Sequence, residues 1–448
     1  MRAIVLGVGF EAMYAAYTLK GLGCDVDMIG TVGSVFGGVM SGFSHNGFNL
    51  DFGCQVFDNF DPDITQAIQT WSDNTCHGLD VSYASRFCGK MSYDVSVPDL
   101  SSLPKGRREK IISEIKHAVT NGLEPNTLRD YFECRWGRLA ADYLDGISWK
   151  FYGLSSDEMD KNAHIYCGLK RIRIAKDEEA LSLKKSDARL DAILAVPRNR
   201  AENIYSEARL KYPFWNFYPE EGFSGFCKKA YNYLGKNGVR ISMNNTVEYI
   251  KPGKPLEICV FDNEKKERKV SLYDLAICEG GIGRAERTLL GCQTLQNFMR
   301  PLGMNLSYYF VKKNAVSDIG YVQNFDSDLS FYRWSSAGLF SKKIKDGATF
   351  ICIETPAYEA LSNGKCFVEK QWEEVKGLGL VSGKCPQHTH HVYARSCFNV
   401  YKKGFSESAS NVAHCIQERY PNIIYTGPSI FGRVPAALEI SRKLKSFL

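Results

Sequence analysis

Three small residues at fixed spacing, Gly7, Gly9 and Ala12 in Gly7-Val8-Gly9-Phe10-Glu11-Ala12, follow directly on the apolar run Ala3-Ile4-Val5-Leu6. A G-x-G-x-x-G/A turn between a buried strand and a helix is the spacing that holds a dinucleotide. In that role Gly7 permits the tight turn, Gly9 lets a pyrophosphate approach the backbone, and Ala12 lets the helix pack closely on the strand. Phe10 and Glu11 complete the same candidate cofactor-binding loop. The helix that follows, with Met13, Ala16, Tyr17 and Leu19 facing inward, would aim its free N–H groups and positive dipole end at the diphosphate. A tight turn without a ligand is the plain alternative. A strand on either side of the helix, Ala3 to Leu6 and Asp25 to Ile29, favours the dinucleotide. Where the second strand of such a unit ordinarily ends in Asp or Glu for the adenosine ribose, this chain has Gly30, the candidate position at that end.

Two further glycine groups separate flavin from nicotinamide. Gly33-Ser34-Val35-Phe36-Gly37-Gly38 and Gly47-Phe48-Asn49-Leu50-Asp51-Phe52-Gly53 resemble the second glycine pair and the G-f-x-x-D-x-G segment of one large flavoprotein clan. That clan contains the amine oxidases, protoporphyrinogen oxidase, phytoene desaturases and UDP-galactopyranose mutase. The resemblance implies FAD as cofactor, with Gly37 and Gly38 beside the ribityl-phosphate arm and the backbone at Gly53 against the flavin ring. It also implies that the backbone of Val247 meets the adenine and that Gly427 opens the last strand-to-helix turn beneath the flavin. The N-terminus of that closing helix would stabilise the charge of reduced flavin.

The elements that must position these residues read as an α/β chain. The expected fold is a Rossmann-like FAD-binding domain of the glutathione-reductase-like type, with a helical insertion and an antiparallel-sheet substrate domain. Residues 1–75, 214–292 and 396–448 form the discontinuous FAD-binding domain, 76–213 a mostly helical cap, and 293–395 a strand-rich substrate domain. Apolar periodicity predicts helices over Arg107 to Val119, Thr127 to Tyr143, Ser155 to Cys167, Ser224 to Asn237 and Ala436 to Leu448. Strands are predicted over Val239 to Met243, Thr246 to Ile250, Tyr273 to Cys278, Leu306 to Val311, Tyr321 to Asn324, Phe331 to Trp334, Thr349 to Glu354 and Asn422 to Gly427.

With 448 residues and 44% apolar content, the chain can bury two or three domain-sized cores. A net charge of +6, spread out, argues weakly for anionic substrates and hardly at all for nucleic acid. The basic stretches Lys105 to Lys110 and Lys265 to Lys269 read as solvated surface. No apolar run reaches the roughly eighteen residues of a membrane span, and a first strand at residue 2 leaves no room for a signal peptide. The 15 scattered cysteines contain no C-x-x-C pair, which fits reduced thiols in the cytoplasm and indicates neither a disulfide framework nor a zinc site. His388, His390 and His391, after Pro386, read as a surface loop, and no metal site is expected.

Two segments narrow the resemblance. Trp149-Lys150-Phe151-Tyr152-Gly153-Leu154-Ser155 with Leu169-Lys170-Arg171-Ile172-Arg173 looks like the helical-domain motif of UDP-galactopyranose mutase. Asn324-Phe325-Asp326-Ser327-Asp328, Phe331-Tyr332-Arg333 and Ile353-Glu354 are similar to a second motif of that family. In the family an arginine from each motif holds the substrate diphosphate, which makes Arg173 and Arg333 the substrate candidates; guanidinium suits the task because it binds phosphate oxygens bidentately. Gln55, in Gln55-Val56-Phe57-Asp58, stands where the mutase has a histidine-rich segment, and is a third substrate candidate. Val434-Pro435-Ala436-Ala437-Leu438 replaces the mutase's C-terminal tyrosines and aspartate. Tyr152, Tyr332 and Arg433 are the candidates for catalysis, though an ordinary structural role is the plain reading of each. The expected function is an FAD-dependent oxidoreductase acting on a nucleotide-linked sugar or other small anionic metabolite in polysaccharide synthesis. A mutase-like isomerase and a non-catalytic flavoprotein relative are the alternatives.

Overall fold

The structure, a computed structural model, describes residues 1–118, 124–165, 169–197, 211–341, 347–359, 365–427 and 432–447. Two compact units share them: one contains 1–79, 205–297 and 407–448, the other 80–204 and 298–406.

The first unit is built on a seven-stranded sheet. Its order is Glu267–Tyr273, Leu256–Asp262, Val239–Lys251, β2 (Asp25–Thr31), β1 (Arg2–Leu6), Leu275–Cys278 and Ile423–Tyr425. The five strands from Val239–Lys251 to Ile423–Tyr425 run parallel, and the other two return as an antiparallel meander. β1 is central, so Ala3, Ile4 and Val5 are fully buried, and a strand covered on both faces reads as a continuous apolar run. β2 lies on one side of β1 and Leu275–Cys278 on the other, so the connections leaving β1 and Leu275–Cys278 meet at the point where the strand order reverses. Ligands of open α/β sheets bind in that crevice, beyond the carboxyl ends of the strands.

Helix α1 (Phe10–Gly21) buries Ala12, Ala15, Ala16 and Leu19 completely. Its first turn is held by an aromatic cluster around Trp71, whose ring lies 5.8 Å from Phe10, 5.6 Å from Tyr17 and 6.3 Å from Phe226. The two strands expected over 239–250 are one, Val239–Lys251. It changes partner rather than ending: the first half pairs with β2, the second with Leu256–Asp262, and the register shifts between Ser242 and Asn245, where Asn244 takes φ 59°.

The second unit carries another seven-stranded sheet, ordered Thr389–Tyr401, Met299–Lys312, Ala348–Ala357, Arg333–Ser335, Tyr321–Asn324, Tyr83–Phe87 and Lys90–Tyr93. Tyr309, Trp334, Ile351, Ile353 and Trp372 form its buried core. The single helix expected over Thr127 to Tyr143 is two, Leu128–Trp136 and Arg138–Tyr152. Gly137 separates them with φ 83°, a conformation that stops the first helix and that glycine adopts without strain. The helix expected over Ser155 to Cys167 is absent among the described residues, which show turns and a short 3-10 segment at Lys161–Ile165, with Cys167 outside them. The backbone bonds go elsewhere: Ser156 N and Oγ donate to Asp145, and Met159 and Asp160 form β-bridges with Lys402 and Thr127. The histidine segment also differs from expectation. His388 precedes the strand Thr389–Tyr401, whereas His390 and His391 lie within it, opposite Tyr308 and Ser307. Val392 and Tyr393 continue that strand, and Met299–Lys312 supplies a full-length partner.

No described helix is long and apolar enough to cross a membrane. Replacing Trp71 by Ala should cost about 3–5 kcal/mol, as removal of a fully buried Trp does, and Trp71→Phe distinctly less; denaturant unfolding of the three proteins measures both.

Candidate functional site

The turn after β1 is an amide cradle. Gly9 is the N-cap of α1 and offers no side-chain oxygen, so the first-turn amides are left to another acceptor. That acceptor is Glu279, directly after the strand Leu275–Cys278. Gly9 N donates to Glu279 Oε2 at 2.9 Å, and Glu279 N donates to Leu6 O at 3.2 Å. A methyl group on either Gly7 or Gly9 would overlap the Glu279 side chain, so the notch these glycines leave is taken by a carboxylate. Burial raises the pKa of Glu279, opposed by amide bonds from Gly9, Ala12 and Val8 and by the charge of Arg284. These amides point at an anion, as helix N-termini do when they bind phosphate.

Two more carboxylates stand beside it. Thr426 Oγ1 donates to Glu11 Oε1, and the Glu11 carboxyl is pushed up to about 7 by burial and by the charges of Glu279 and Glu439, against the Thr426 bond and Lys443. Glu439, on the helix Arg433–Phe447, accepts from Gly427 N at 3.1 Å and pairs with Lys443 at 2.8 Å. Neither Glu279 nor Glu439 was singled out from the sequence: Glu279 reaches the cradle from a distant part of the chain, and Glu439 bears on Glu11 only through its charge, from the helix Arg433–Phe447.

The other glycines fall as follows. Gly38 approaches Gly9: a Cβ on it would stand 3.8 Å from Gly9 Cα. Gly37, at φ 96°, donates its N–H to Val8 O at 2.7 Å, and Cys227 Sγ fills the space beside it. At Gly30 a Cβ would lie 2.7 Å from Met243 Sδ, so a thioether stands where the adenosine ribose was expected. Val247 is on the strand Val239–Lys251, opposite Val260 and separated from β1 by β2. Gly53 takes φ 78°.

Gln55 and Arg433 meet. Arg433 Nη2 donates to Gln55 Oε1, while Gln55 Nε2 donates to Val39 O at 2.8 Å and Phe52 O at 3.0 Å. The Arg433 guanidinium also lies 5.3 Å from the Phe223 ring centroid. Close by in sequence, Asp51 is buried, accepts from Tyr218 Oη at 2.6 Å and Phe223 N at 3.2 Å, and is raised to about 6 by burial against those bonds.

In the second unit the two arginine candidates hold carboxylates of the chain itself. Arg173 donates to Asp99 at 3.0 Å and Asp177 at 2.7 Å. Arg333 forms a two-pronged pair with Glu354, with Nε to Oε1 at 2.6 Å, and lies near the rings of Tyr321 and Tyr332. Tyr152 and Tyr332 line one apolar cavity of about 10 Å³ with Phe151, Leu302, Met304, Pro356 and Phe398, space for about one water. The Tyr152 hydroxyl donates to Ala163 O at 3.0 Å, and the Tyr332 ring packs 4.6 Å from Phe151. Lys150, given no role from its sequence, is brought down to about 7 by burial, and its Nζ donates to Asp326 O. Among the described residues no group of three or more His, Cys, Asp or Glu side chains is arranged to hold a metal ion.

Fold and crevice together define the class at the level of architecture: a Rossmann-like parallel sheet whose strand order reverses at the crevice, a fold shared along the whole chain with solved structures. Three solved structures make that concrete. Reduced UDP-galactopyranose mutase is similar with a TM-score of 0.69 at 14% identity, over 100% of this chain and 93% of the other. A putative protoporphyrinogen oxidase from Exiguobacterium sp. 255-15 is similar with a TM-score of 0.65 at 11% identity, over 100% and 98%. Cyclohexylamine oxidase from Brevibacterium oxydans IH-35A gives 0.60 at 10%, over 99% of each chain. No family model matches the chain, and no curated protein matches it in sequence.

The Arg333–Glu354 pair yields a stability prediction. Glu354 is 2% exposed, so Arg333→Met should cost about 3–5 kcal/mol by taking the guanidinium away from a buried carboxylate, and the double variant Arg333→Met/Glu354→Leu should recover most of that. Urea unfolding of the single and double variants measures the difference.

Proposed function

We propose that this chain is an FAD-dependent flavoenzyme, an oxidoreductase of the amine oxidase and protoporphyrinogen oxidase type. The observation that carries the reading is the amide cradle at the strand-order reversal, where Gly9 N holds an anionic oxygen at 2.9 Å. The Glu279 carboxylate stands in for a phosphate oxygen there, and the cradle's geometry therefore fits the cofactor's diphosphate. Gly7, Gly9, Phe10, Glu11, Ala12, Gly37 and Gly38 would hold the diphosphate and ribityl arm, with Gly30 and Val247 toward the adenosine and Gly53 and Gly427 toward the ring. On this reading 1–75, 214–292 and 396–448 constitute the FAD-binding domain, 76–213 the cap and 293–395 the substrate domain. When bound, FAD supplies the hydride or electron transfer, while the protein orients and polarises.

For this chain's own residues, Arg433 and Gln55 act as one unit. Their shared hydrogen bond fixes the guanidinium near the Asp51 and Gly53 loop, and the charge of Arg433 helps hold Asp51 ionised. The substrate we propose is a small anion, a nucleotide-linked sugar in polysaccharide synthesis, with Arg173 and Arg333 as its diphosphate contacts and Tyr152 and Tyr332 along its path. Binding there requires exchange of Asp99, Asp177 and Glu354 for phosphate oxygens. We place the enzyme in the cytoplasm, as cysteines scattered along the chain without a C-x-x-C pair suit.

A flavin-dependent sugar isomerase is the second reading, favoured by the similarity to reduced UDP-galactopyranose mutase along the whole chain. A relative without catalysis is a third, favoured by the carboxylates around the cradle.

Purified protein mixed with FAD and freed of excess should retain the two absorption bands of oxidised flavin. Retained flavin with net substrate oxidation by oxygen or another acceptor identifies the oxidoreductase. Turnover of a UDP-sugar only after dithionite reduction identifies the isomerase, and a colourless protein that never retains FAD removes the reading.

A further inference from the structure

We propose that Glu279 is a tethered anion that occupies the diphosphate cradle of the cofactor-free protein, so that FAD loads by displacing it. This rests on the reading of the cradle as an FAD site, and adds that the chain carries its own competitor for that site.

The argument is geometric. Gly7 and Gly9 leave room for a ligand atom against the backbone, and the Glu279 side chain takes that room from the next strand of the sheet. Its Oε2 accepts the Gly9 N–H that a phosphate oxygen would need. A diphosphate and this carboxylate cannot both bind the same amides. Glu279 is placed to swing: it follows the strand Leu275–Cys278 and precedes Gly280 and Gly281, which take φ 95° and 75°. The cost of displacement is the loss of charge-assisted hydrogen bonds, which are stronger than neutral ones.

Charge adds to the competition. Facing Glu279 are Glu11 on α1 and Arg284 on the helix Gly281–Ala285; facing Glu11 are Glu279, and Glu439 and Lys443 on the closing helix. An incoming diphosphate therefore meets the carboxylates of Glu11 and Glu439 as well as the one it displaces. Both Glu279 and Glu11 are raised by burial, Glu11 to about 7, so acidification neutralises the groups that oppose the diphosphate. FAD affinity should rise as pH falls through about 7.

The test is FAD titration of the full chain, followed by quenching of flavin fluorescence, for the wild type and for Glu279→Ala, Glu279→Gln and Glu11→Gln, with melting by circular dichroism as a check that each folds. Glu279→Ala should bind FAD at least about tenfold more tightly than wild type, the equivalent of losing one charge-assisted hydrogen bond from the competitor. Glu279→Gln, which keeps the shape and loses the charge, should fall between them, and it decides by the same comparison if the alanine variant does not fold. Between pH 8 and 6, the wild-type affinity should rise, and more steeply than that of Glu11→Gln. Equal or weaker binding by folded Glu279 variants, with wild type binding FAD, overturns the competitor and leaves the FAD site standing. Failure of wild type and folded variants alike to bind FAD overturns both.

Discussion

A helix that starts without a capping side chain must find another acceptor for its first amides, and this requirement organises the first unit. Gly9 caps α1 with backbone alone, the aromatic cluster around Trp71 seats the first turn, and β1 is flanked on both sides by parallel strands. The result is a fixed set of N–H groups aimed at one point, at the end of the sheet where the strand order reverses. Any anion there gains hydrogen bonds that need no rearrangement of the backbone. The chain supplies one itself, from the strand beside β1, and the same geometry that suits a diphosphate suits Glu279.

Much of this frame was legible in the sequence because it is written in local patterns. The apolar run Ala3 to Leu6 and the spacing of Gly7, Gly9 and Ala12 specify strand, turn and helix within about a dozen residues. The strands Tyr321–Asn324 and Ala348–Ala357 and the helix Gly222–Lys236 were readable on the same grounds. What escaped was set by contacts between distant segments. Glu279 lies 270 positions from Gly9, and nothing around it marks a carboxylate bound for an amide cradle. The helix break at Gly137 was missed because apolar spacing continues across it, although the glycine itself was a usable signal. His390 and His391 looked like loop because of their polarity; a strand's pairing potential lies in its partner, here Met299–Lys312.

The two arginine motifs show how a residue type can be read correctly and its partner missed. Arginine's planar fork fits a carboxylate as well as a phosphate, and in Arg333 and Arg173 the carboxylates come from the chain. Glu354 was visible beside Arg333 in the same sequence motif, and the pairing of Arg333–Ser335 with Ala348–Ala357 sets Arg333 opposite it in register. Asp99 and Asp177 lie before and after Arg173, the latter at the start of the helix Asp177–Ser186. On the proposed reading, in both places as at the cradle, the chain's own carboxylates take the position of a ligand's phosphate. A phosphate ligand therefore gains the difference between two charge-assisted contacts, not the whole of one. That favours ligands with several anionic oxygens over monoanions.

Protonation links these carboxylates to the fold in opposite senses. Asp51 and Glu11 titrate at about 6 and 7 in the folded chain, above their ordinary values of 3.8 and 4.5. The stability they contribute is present in acid and is lost as pH rises through those folded values. Asp27, at the centre of β2, behaves in reverse: burial raises it, but hydrogen bonds from Arg240, Tyr273 and Arg2 more than offset this and hold it below its ordinary value. Its contribution is present above its ordinary pKa and is lost as pH falls through the lowered one. Neutralising Glu11 needs a pH only near 7, far above the range in which Asp27 protonates, so the charge opposing a diphosphate can be relieved while the clamp on β2 stays intact. The cradle and the sheet that carries it thus respond in different ranges of pH, and mild acid reaches Glu11 without reaching Asp27.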